Sequence, residues 1–361
     1  MKIGLLTHYN VINQGAQLQM IAMKQYLEHL GHDVFILTYD KDFSFLPYEK
    51  KKNSASLLNS AFYIREYFVK KGIGLTLFNI KKVYAHKKIL RKLMKLHYDS
   101  ADIDCVIIGS DEVFSIDVGC NKMMYGYGLK APAIAYAPSF GITTEKVLKD
   151  YSVYDIVKNG LSSLYALSAR DSHTRELIES MTGREVPLVC DPVFFYQGAI
   201  KTKVNIRKPF LLVYSYDRNM RDKREVAETK MFAQKHNLLT VSCGTYHKWC
   251  DMNISCDAEE WYSYFEKAAY VLTDTFHGTV VSIIKHVNVA VVIRNEINPF
   301  KLMSLLNEAG LNNRLLNCIT ATNLEKVFTD SIDFNAVDYK IAKMKEISVS
   351  YLNVNLRNLN V

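Results

Sequence analysis

The most chemically loaded stretch of the chain is Thr275-Phe276-His277-Gly278-Thr279. It follows a strand-like run and precedes an apolar helical pattern, so it reads as a strand–helix turn. Gly278 permits close backbone approach, and the free N–H groups of a helix start favour an anion. Thr275 and Thr279 add hydroxyls. An imidazole at His277 is placed to donate to that anion or to move a proton near neutral pH. The same residues also serve an ordinary turn with a capping threonine and a half-buried histidine, and spacing alone does not separate the two.

Other strand ends carry similar chemistry. In Ser168-Ala169-Arg170-Asp171, Arg170 can grip a carboxylate or phosphate in bidentate fashion, or simply pair with a neighbouring acid, while Asp171 suits a helix N-cap. The Asn13–Gly15 turn opens a helix and can receive an anion or a sugar. It lacks G-x-G-x-x-G, and no G-x-x-x-x-G-K-[ST] occurs, which disfavours a dinucleotide site and a P-loop. Gly109-Ser110-Asp111-Glu112 presents two carboxylates. Asp111 can accept sugar hydroxyls; a solvated turn is the plainer reading. Cys243, His247, Cys250 and Cys256 lack the paired C-x₂₋₄-C spacing of a zinc site and read better as free thiols.

The elements that must hold these residues alternate. Lys2–Thr7, Asp33–Tyr39, Asp104–Ile108, Ala131–Ala137, Ser163–Ser168 and Glu185–Cys190 read as strands, with helices over Gly15–Leu30 and Asp171–Met181. Gly31 stands where a helix-ending glycine belongs. A second series has strands at Pro209–Tyr214, Leu238–Cys243, Tyr270–Thr273 and Asn288–Ile293. Its helices are Lys223–His236, Glu259–Lys267 (capped by Asp257 with Glu260), Gly278–Lys285 and Pro299–Ala309. Such alternation implies an α/β fold with parallel sheets, here two Rossmann-like domains facing across a cleft. The expected boundaries are 1–196 for the N-terminal domain, 205–335 for the C-terminal domain and 336–361 for a helical tail. Parallel sheets of this kind bind ligands at the carboxyl ends of their strands, where the polar turns lie.

Composition narrows the class. The chain has 361 residues, 49% hydrophobic and 23% charged, which suits two globular domains. Its 45 Lys and Arg exceed 37 Asp and Glu, giving +8. Residues 41–98 alone hold 14 basic and 3 acidic residues, a local +11, and the remainder is −3. That excludes a general nucleic-acid coat and points to one basic surface on a helical insert, two stretches broken near Gly72 and Gly74. Lys81, Lys82, Lys87, Lys88, Arg91, Lys92 and Lys95 either form a solvated helix face or meet an anionic membrane. The opening Met1-Lys2-Ile3-Gly4-Leu5-Leu6 lacks the pattern of a signal peptide, Lys285, His286 and Asn288 interrupt the most apolar stretch, and seven cysteines fall at irregular spacing. A cytoplasmic protein, with peripheral contact at the inner face of the membrane, is expected.

Taken in order, several segments resemble the polysaccharide pyruvyl transferase family, from Met1 to about Leu316. The resemblance rests on Asn13-Gln14-Gly15-Ala16-Gln17-Leu18-Gln19, Val106-Ile107-Ile108-Gly109-Ser110-Asp111, Tyr136-Ala137-Pro138-Ser139-Phe140-Gly141, Ser168-Ala169-Arg170-Asp171, Asp191-Pro192, Thr273 to Thr279 and Leu305 to Leu311. The chain departs from the family after Asp111, where Glu112-Val113-Phe114-Ser115 stands for a frequent Gln, Trp and Asn, and at Lys301, where Arg is common. The resemblance implies a GT-B glycosyltransferase-like fold. It implies phosphoenolpyruvate as donor and a sugar of a surface glycan, capsule or exopolysaccharide, or of its lipid-linked precursor, as acceptor. The product would be a cyclic pyruvate ketal. It makes His277 the catalytic histidine and Arg170 a donor-binding arginine with a catalytic part. On this basis Thr275, Gly278, Thr279 and Lys301 are expected to join Arg170 on the donor. Asn13, Gly15, Asp111 and Ser139 are expected to orient the acceptor, and no cofactor or metal is expected. Two other readings stand beside it: a nucleotide-sugar glycosyltransferase on the same architecture, and a non-catalytic glycan-binding protein.

Overall fold

A computed structural model describes residues 1–42, 72–119, 121–198, 204–294 and 299–359. The first of the two helical stretches expected in the basic insert lies outside the described residues.

The N-terminal half runs β1 (Lys2–Leu6), α1 (Gln14–His29), β2 (Asp33–Thr38), α2 (Ile73–Leu90), β3 (Lys95–His97), β4 (Cys105–Ile108) and β5 (Ala133–Ala135). The helices α3 (Glu145–Asp150), α4 (Tyr154–Ser163) and α5 (Ser172–Thr182) follow. The strands form a parallel sheet in the order β3-β2-β1-β4-β5. Every residue of β4 is buried, as a central parallel strand covered on both faces requires. Lys95 begins a short edge strand rather than ending a helix, and its charge suits an unpaired edge.

The strands expected at 163–168 and 185–190 are reduced to single bridges, Ile134 to Ala166 and Ala169 to Leu188. Helix α4 runs to Ser163 and leaves few residues for the first. Pro187 has no N–H to extend the second. Helices α3 and α4 were not expected, and Gly74 lies inside α2 rather than breaking it.

The C-terminal half begins with β6 (Phe210–Tyr214), α6 (Lys223–Lys235), β7 (Leu239–Cys243), β8 (Met252–Ile254), α7 (Ala258–Lys267) and β9 (Tyr270–Thr273). It continues through α8 (Phe276–Ile284), β10 (Val289–Val292), α9 (Pro299–Ala309), β11 (Leu315–Leu316) and α10 (Ala321–Thr329). A second parallel sheet has the order β11-β10-β9-β6-β7-β8. Asp257 and Glu260 form the expected reciprocal cap at α7.

Two elements tie the halves together. Helix α1 packs on the turn Pro192–Phe195, with Tyr26 stacked on Phe195 at 4.5 Å, and also meets α7 and α8. The final helix α11 (Phe334–Leu359) returns to the first sheet. There Ser348 Oγ accepts from the Cys190 N–H and Tyr351 Oη donates to the Ala135 carbonyl. One apolar core therefore runs from Ile3 and Leu5 through Phe194 to Trp261 and Val280. Among the described residues no helix is long and apolar enough to cross a membrane.

Candidate active site

The carboxyl ends of β1, β4, β6 and β9 face one another across a cleft of about 770 Å³. Asp111 and Glu112 reach it from the turn after β4, and Asn13 from the start of α1. Thr275, Phe276 and His277 reach it from the start of α8, and Lys301 from α9. Five of the expected residues, His277, Asp111, Asn13, Thr275 and Lys301, thus meet in one place.

A buried charge network lies behind the cleft wall. The Arg170 guanidinium is 1% exposed and 4.4 Å from the centre of the Phe276 ring. Its Nη1 donates to Asp191 Oδ2 at 3.1 Å, and Nη1 and Nη2 both lie 3.4 Å from Asp111 Oδ1. Asp191 Oδ2 also accepts from Ser110 Oγ at 3.1 Å and lies 3.5 Å from His277 Nε2. Burial alone would raise both carboxyls. It is outweighed at Asp111 by Arg170, His277, Lys301 and His8, and at Asp191 by His277 and Arg170, so both sit below the usual carboxylate range. Two buried nitrogens, Arg170 Nε and His277 Nε2, have no hydrogen-bond partner among the described residues.

Lys301 Nζ donates to Glu112 Oε1 at 2.6 Å across the domain boundary. Burial works against the Lys301 charge, but Glu112 and its neighbours raise its pKa above the ordinary value. His8 is buried on the cleft wall, between Tyr39 Oη at 3.1 Å and the Glu112 carbonyl at 3.2 Å. Burial lowers its pKa.

The remaining expected residues take other places. Helix α8 starts at Phe276, two residues before the expected start. Thr275 Oγ1 caps it by accepting from the Gly278 N–H, and Thr279 Oγ1 donates back to the Thr275 carbonyl. Gly278 and Thr279 are therefore consumed by the helix start. The amides turned to an incoming anion are those of Phe276 and His277, the first two helical residues. Ser139 is buried and donates to Asp171 Oδ2 at 2.7 Å, so it supports the Asp171 cap of α5 and does not line the cleft. Gly15 is not on the cleft surface either. A Cβ there would collide with Cβ, Cγ and Nδ1 of His277, so Gly15 lets the two domains close around that ring. Asn13 Oδ1 caps α1 through the Ala16 N–H.

Glu112 was read from sequence only as a carboxylate beside Asp111 and Asp191 only as part of a family segment; neither they nor His8 were given a site role. Asp191 stands before a proline at a turn, where a capping role explains it, and its Oδ1 does accept from the Val193 N–H. The four residues of the rejected zinc set serve structure. Cys243 Sγ and Cys256 Sγ lie 3.1 Å apart, and His247 Nε2 lies 3.2 Å from the Ser215 carbonyl. Among the described residues no cluster of His, Cys, Asp and Glu has metal-site geometry.

Comparison with known proteins agrees with the architecture. Residues 13–296 match the family described as polysaccharide pyruvyl transferase. Among solved structures, the UDP-GlcNAc 2-epimerase of Neisseria meningitidis bound to UDP-GlcNAc superposes with a TM-score of 0.53. It is 10% identical, covering 99% of this chain and 100% of that one. The UDP-N-acetylglucosamine 2-epimerase of Rickettsia bellii gives 0.53 at 12% identity, covering 100% and 97%. A glycosyltransferase of Streptomyces nogalater gives 0.50 at 12% identity, covering 98% and 99%. These likenesses establish the GT-B fold. No curated protein sequence matches the chain.

Proposed function

The chain belongs to the polysaccharide pyruvyl transferase family, and on that premise we propose that it moves pyruvate from phosphoenolpyruvate onto two hydroxyls of one sugar in a surface glycan or its lipid-linked precursor. The observation that supports this most is the meeting of His277, Lys301 and Asp111 on one cleft wall with the Arg170 guanidinium buried directly behind them. A donor with a phosphate and a carboxylate needs several cationic and N–H groups, and a ketal needs a proton source beside them.

In the proposed reaction His277 delivers a proton to the methylene carbon of the enol. A sugar oxygen bonds to the carbon that carries the phosphate. The bond from that carbon to the phosphate oxygen breaks, and phosphate leaves. A second sugar oxygen then closes the ring. Two hydroxyl protons are released in all: one restores His277 and the other departs with phosphate, so the sum is phosphoenolpyruvate plus a diol giving a ketal plus hydrogen phosphate. The Phe276 and His277 amides and Lys301 take the donor anion. The long Arg170–Asp111 contacts are those that an incoming carboxylate would replace. Asp111 and Asn13 orient the acceptor. No metal or further cofactor enters this scheme.

The test is turnover. Purified His277→Ala, given phosphoenolpyruvate and a glycan acceptor, should fall by roughly 10²–10⁴ in phosphate release, the usual worth of a placed acid. Turnover like wild type would make His277 structural and overturn the assignment.

We also place the protein in the cytoplasm, at the inner face of the membrane. Ile73, Leu77, Ile80 and Tyr84 form one stripe of α2, each 53–69% exposed, with Lys81 and Lys88 along one side and Lys87 along the other. An apolar stripe edged by lysines suits an anionic lipid surface.

A further inference from the structure

Beside the main cleft lies a second chamber of about 310 Å³. The two share Asn13, Tyr214, Tyr216, Arg218 and Thr275, so they adjoin along one wall. The far wall of the chamber carries Lys82, from the basic insert. This lysine points away from the exposed stripe of α2. Phe78 and His86, one turn to either side on the same face, are both buried. Phe78 meets the Tyr246 ring at 5.4 Å, and His86 bonds to Asn10 and Gln17. The helix face that carries Lys82 is thereby fixed against the body of the protein.

The cations at the two ends of this space differ. At the His277 end, Arg170 is held by Asp111 and Asp191 and Lys301 by Glu112. In the chamber, Lys82 and Arg218 form no ion pair among the described residues. Arg218 only leans over the Tyr216 ring at 5.7 Å. The one acid on the chamber wall is Asp217, and its Oδ1 already accepts from the Tyr246 N–H at 2.9 Å. Burial lowers the Lys82 pKa, and Asp217 only partly offsets it. Lys82 is part-buried in the chamber wall, Arg218 stands exposed at the rim, and the one carboxylate beside them is already engaged, so the space favours an anion.

We propose that this chamber is a phosphate subsite for the acceptor: the sugar that receives the ketal enters as a phosphate or diphosphate ester, with its ring in the cleft beside His277 and its phosphate on Lys82 and Arg218. Calling the ligand an acceptor rests on the pyruvyl-transfer reading; the phosphate chemistry of the chamber does not. The shared wall at Thr275 and Asn13 keeps ring and phosphate within one ligand's reach. A reaction that makes activated, phosphate-linked sugars would then supply the substrate, and glycan assembly would consume the product.

Calorimetric titration of the whole chain tests this, with inorganic pyrophosphate, UDP and farnesyl diphosphate as probes and phosphoenolpyruvate titrated separately. Pyrophosphate should bind with phosphoenolpyruvate already saturating. Lys82→Gln should weaken pyrophosphate about tenfold or more, the effect of losing one charged hydrogen bond. Lys82→Arg should restore it, and the phosphoenolpyruvate affinity should stay within about twofold. Arg218→Gln, with a thermal melt on each variant, guards against misfolding. UDP above farnesyl diphosphate identifies a nucleotide-linked acceptor, and the reverse order a lipid-linked one. No pyrophosphate binding, equal binding by Lys82→Gln, or parallel loss of phosphoenolpyruvate would overturn the subsite. A Lys82-dependent pyrophosphate site in a protein that never binds phosphoenolpyruvate would sustain the subsite and overturn the transferase reading.

Discussion

Lys301 Nζ and Glu112 Oε1 lie 2.6 Å apart, one from each domain, at the mouth of the cleft. A carboxylate next to Asp111 would repel it, and Lys301 cancels that charge while tying α9 to the turn after β4. The pair is largely buried, 6% exposed at Lys301 and 25% at Glu112, so it differs from a solvent-screened surface bridge. In a double-mutant cycle of Lys301→Met and Glu112→Gln, the coupling in unfolding free energy should fall within about 0.5–3 kcal/mol. On the proposed reaction, in which Lys301 meets the donor anion, Lys301→Met should also raise the KM for phosphoenolpyruvate. The charge-swapped double variant should recover stability and not KM. Recovery of both would limit Lys301 to a structural tie.

Asp111 gives a pH signature. Its folded pKa lies below the ordinary 3.8, because Arg170, His277, Lys301 and His8 together outweigh burial. A depressed carboxyl contributes stability that is fully present above the unfolded value and is lost as pH falls toward the folded one. Asn cannot titrate. The stability gap between wild type and Asp111→Asn, read from urea unfolding, should therefore be constant from about pH 7 to 5 and narrow below about pH 4. A gap that held its size to about pH 2.5 would show that Asp111 is not charge-coupled to the network.

Gly15 sits under the His277 ring, and the atoms a new methyl would strike are the fixed Cβ, Cγ and Nδ1 rather than a mobile tip. Gly15→Ala must push His277 or α1 aside. The expected cost is about 1–3 kcal/mol of stability, as for overpacking a filled site. Displacing His277 from Asp191 should lower kcat as well. A variant as stable and as active as wild type would mean that the two domains do not close on His277 in the working enzyme.

How much of this was legible beforehand depends on what each residue does locally. Polar turns after apolar strands advertised Asp111, Asn13 and His277, although Asn13 also has a local task as the cap of α1. Asp191 gave no such signal: its capping bond to Val193 accounts for it, and its link to Arg170 and His277 exists only once three separate segments meet. The early start of α8 misplaced the anion seat. Thr275 caps three residues before Gly278, so the glycine falls inside the first turn rather than at its head. Lys82 was one of seven basic residues in a run. Its spacing of four from both Phe78 and His86 marks it as the inward one, a pattern masked by the charge around it. Helices α3 and α4 are short, and short amphipathic runs lack the periodicity that a longer helix displays.

The outward face of α2 carries the last prediction. Ile73, Leu77, Ile80 and Tyr84 recur at spacings of four, three and four, so they share one side of the helix. Lys81, Lys87 and Lys88 flank that side, while Lys82 points the opposite way and contributes nothing to it. Apolar burial alone would bind neutral and anionic bilayers equally; the lysines add about 1 kcal/mol each only where the lipid is charged. Co-sedimentation at low salt should therefore pellet the protein with vesicles containing phosphatidylglycerol far more than with pure phosphatidylcholine. Replacing the three flanking lysines with Gln should weaken anionic binding on the order of 100-fold. Leu77→Ser with Ile80→Ser should weaken binding to both vesicle types, since the stripe is lost and the charge is kept. Equal pelleting with neutral and anionic vesicles would remove electrostatic docking and leave the apolar stripe alone as the contact; no pelleting with either would remove the membrane face of α2 altogether.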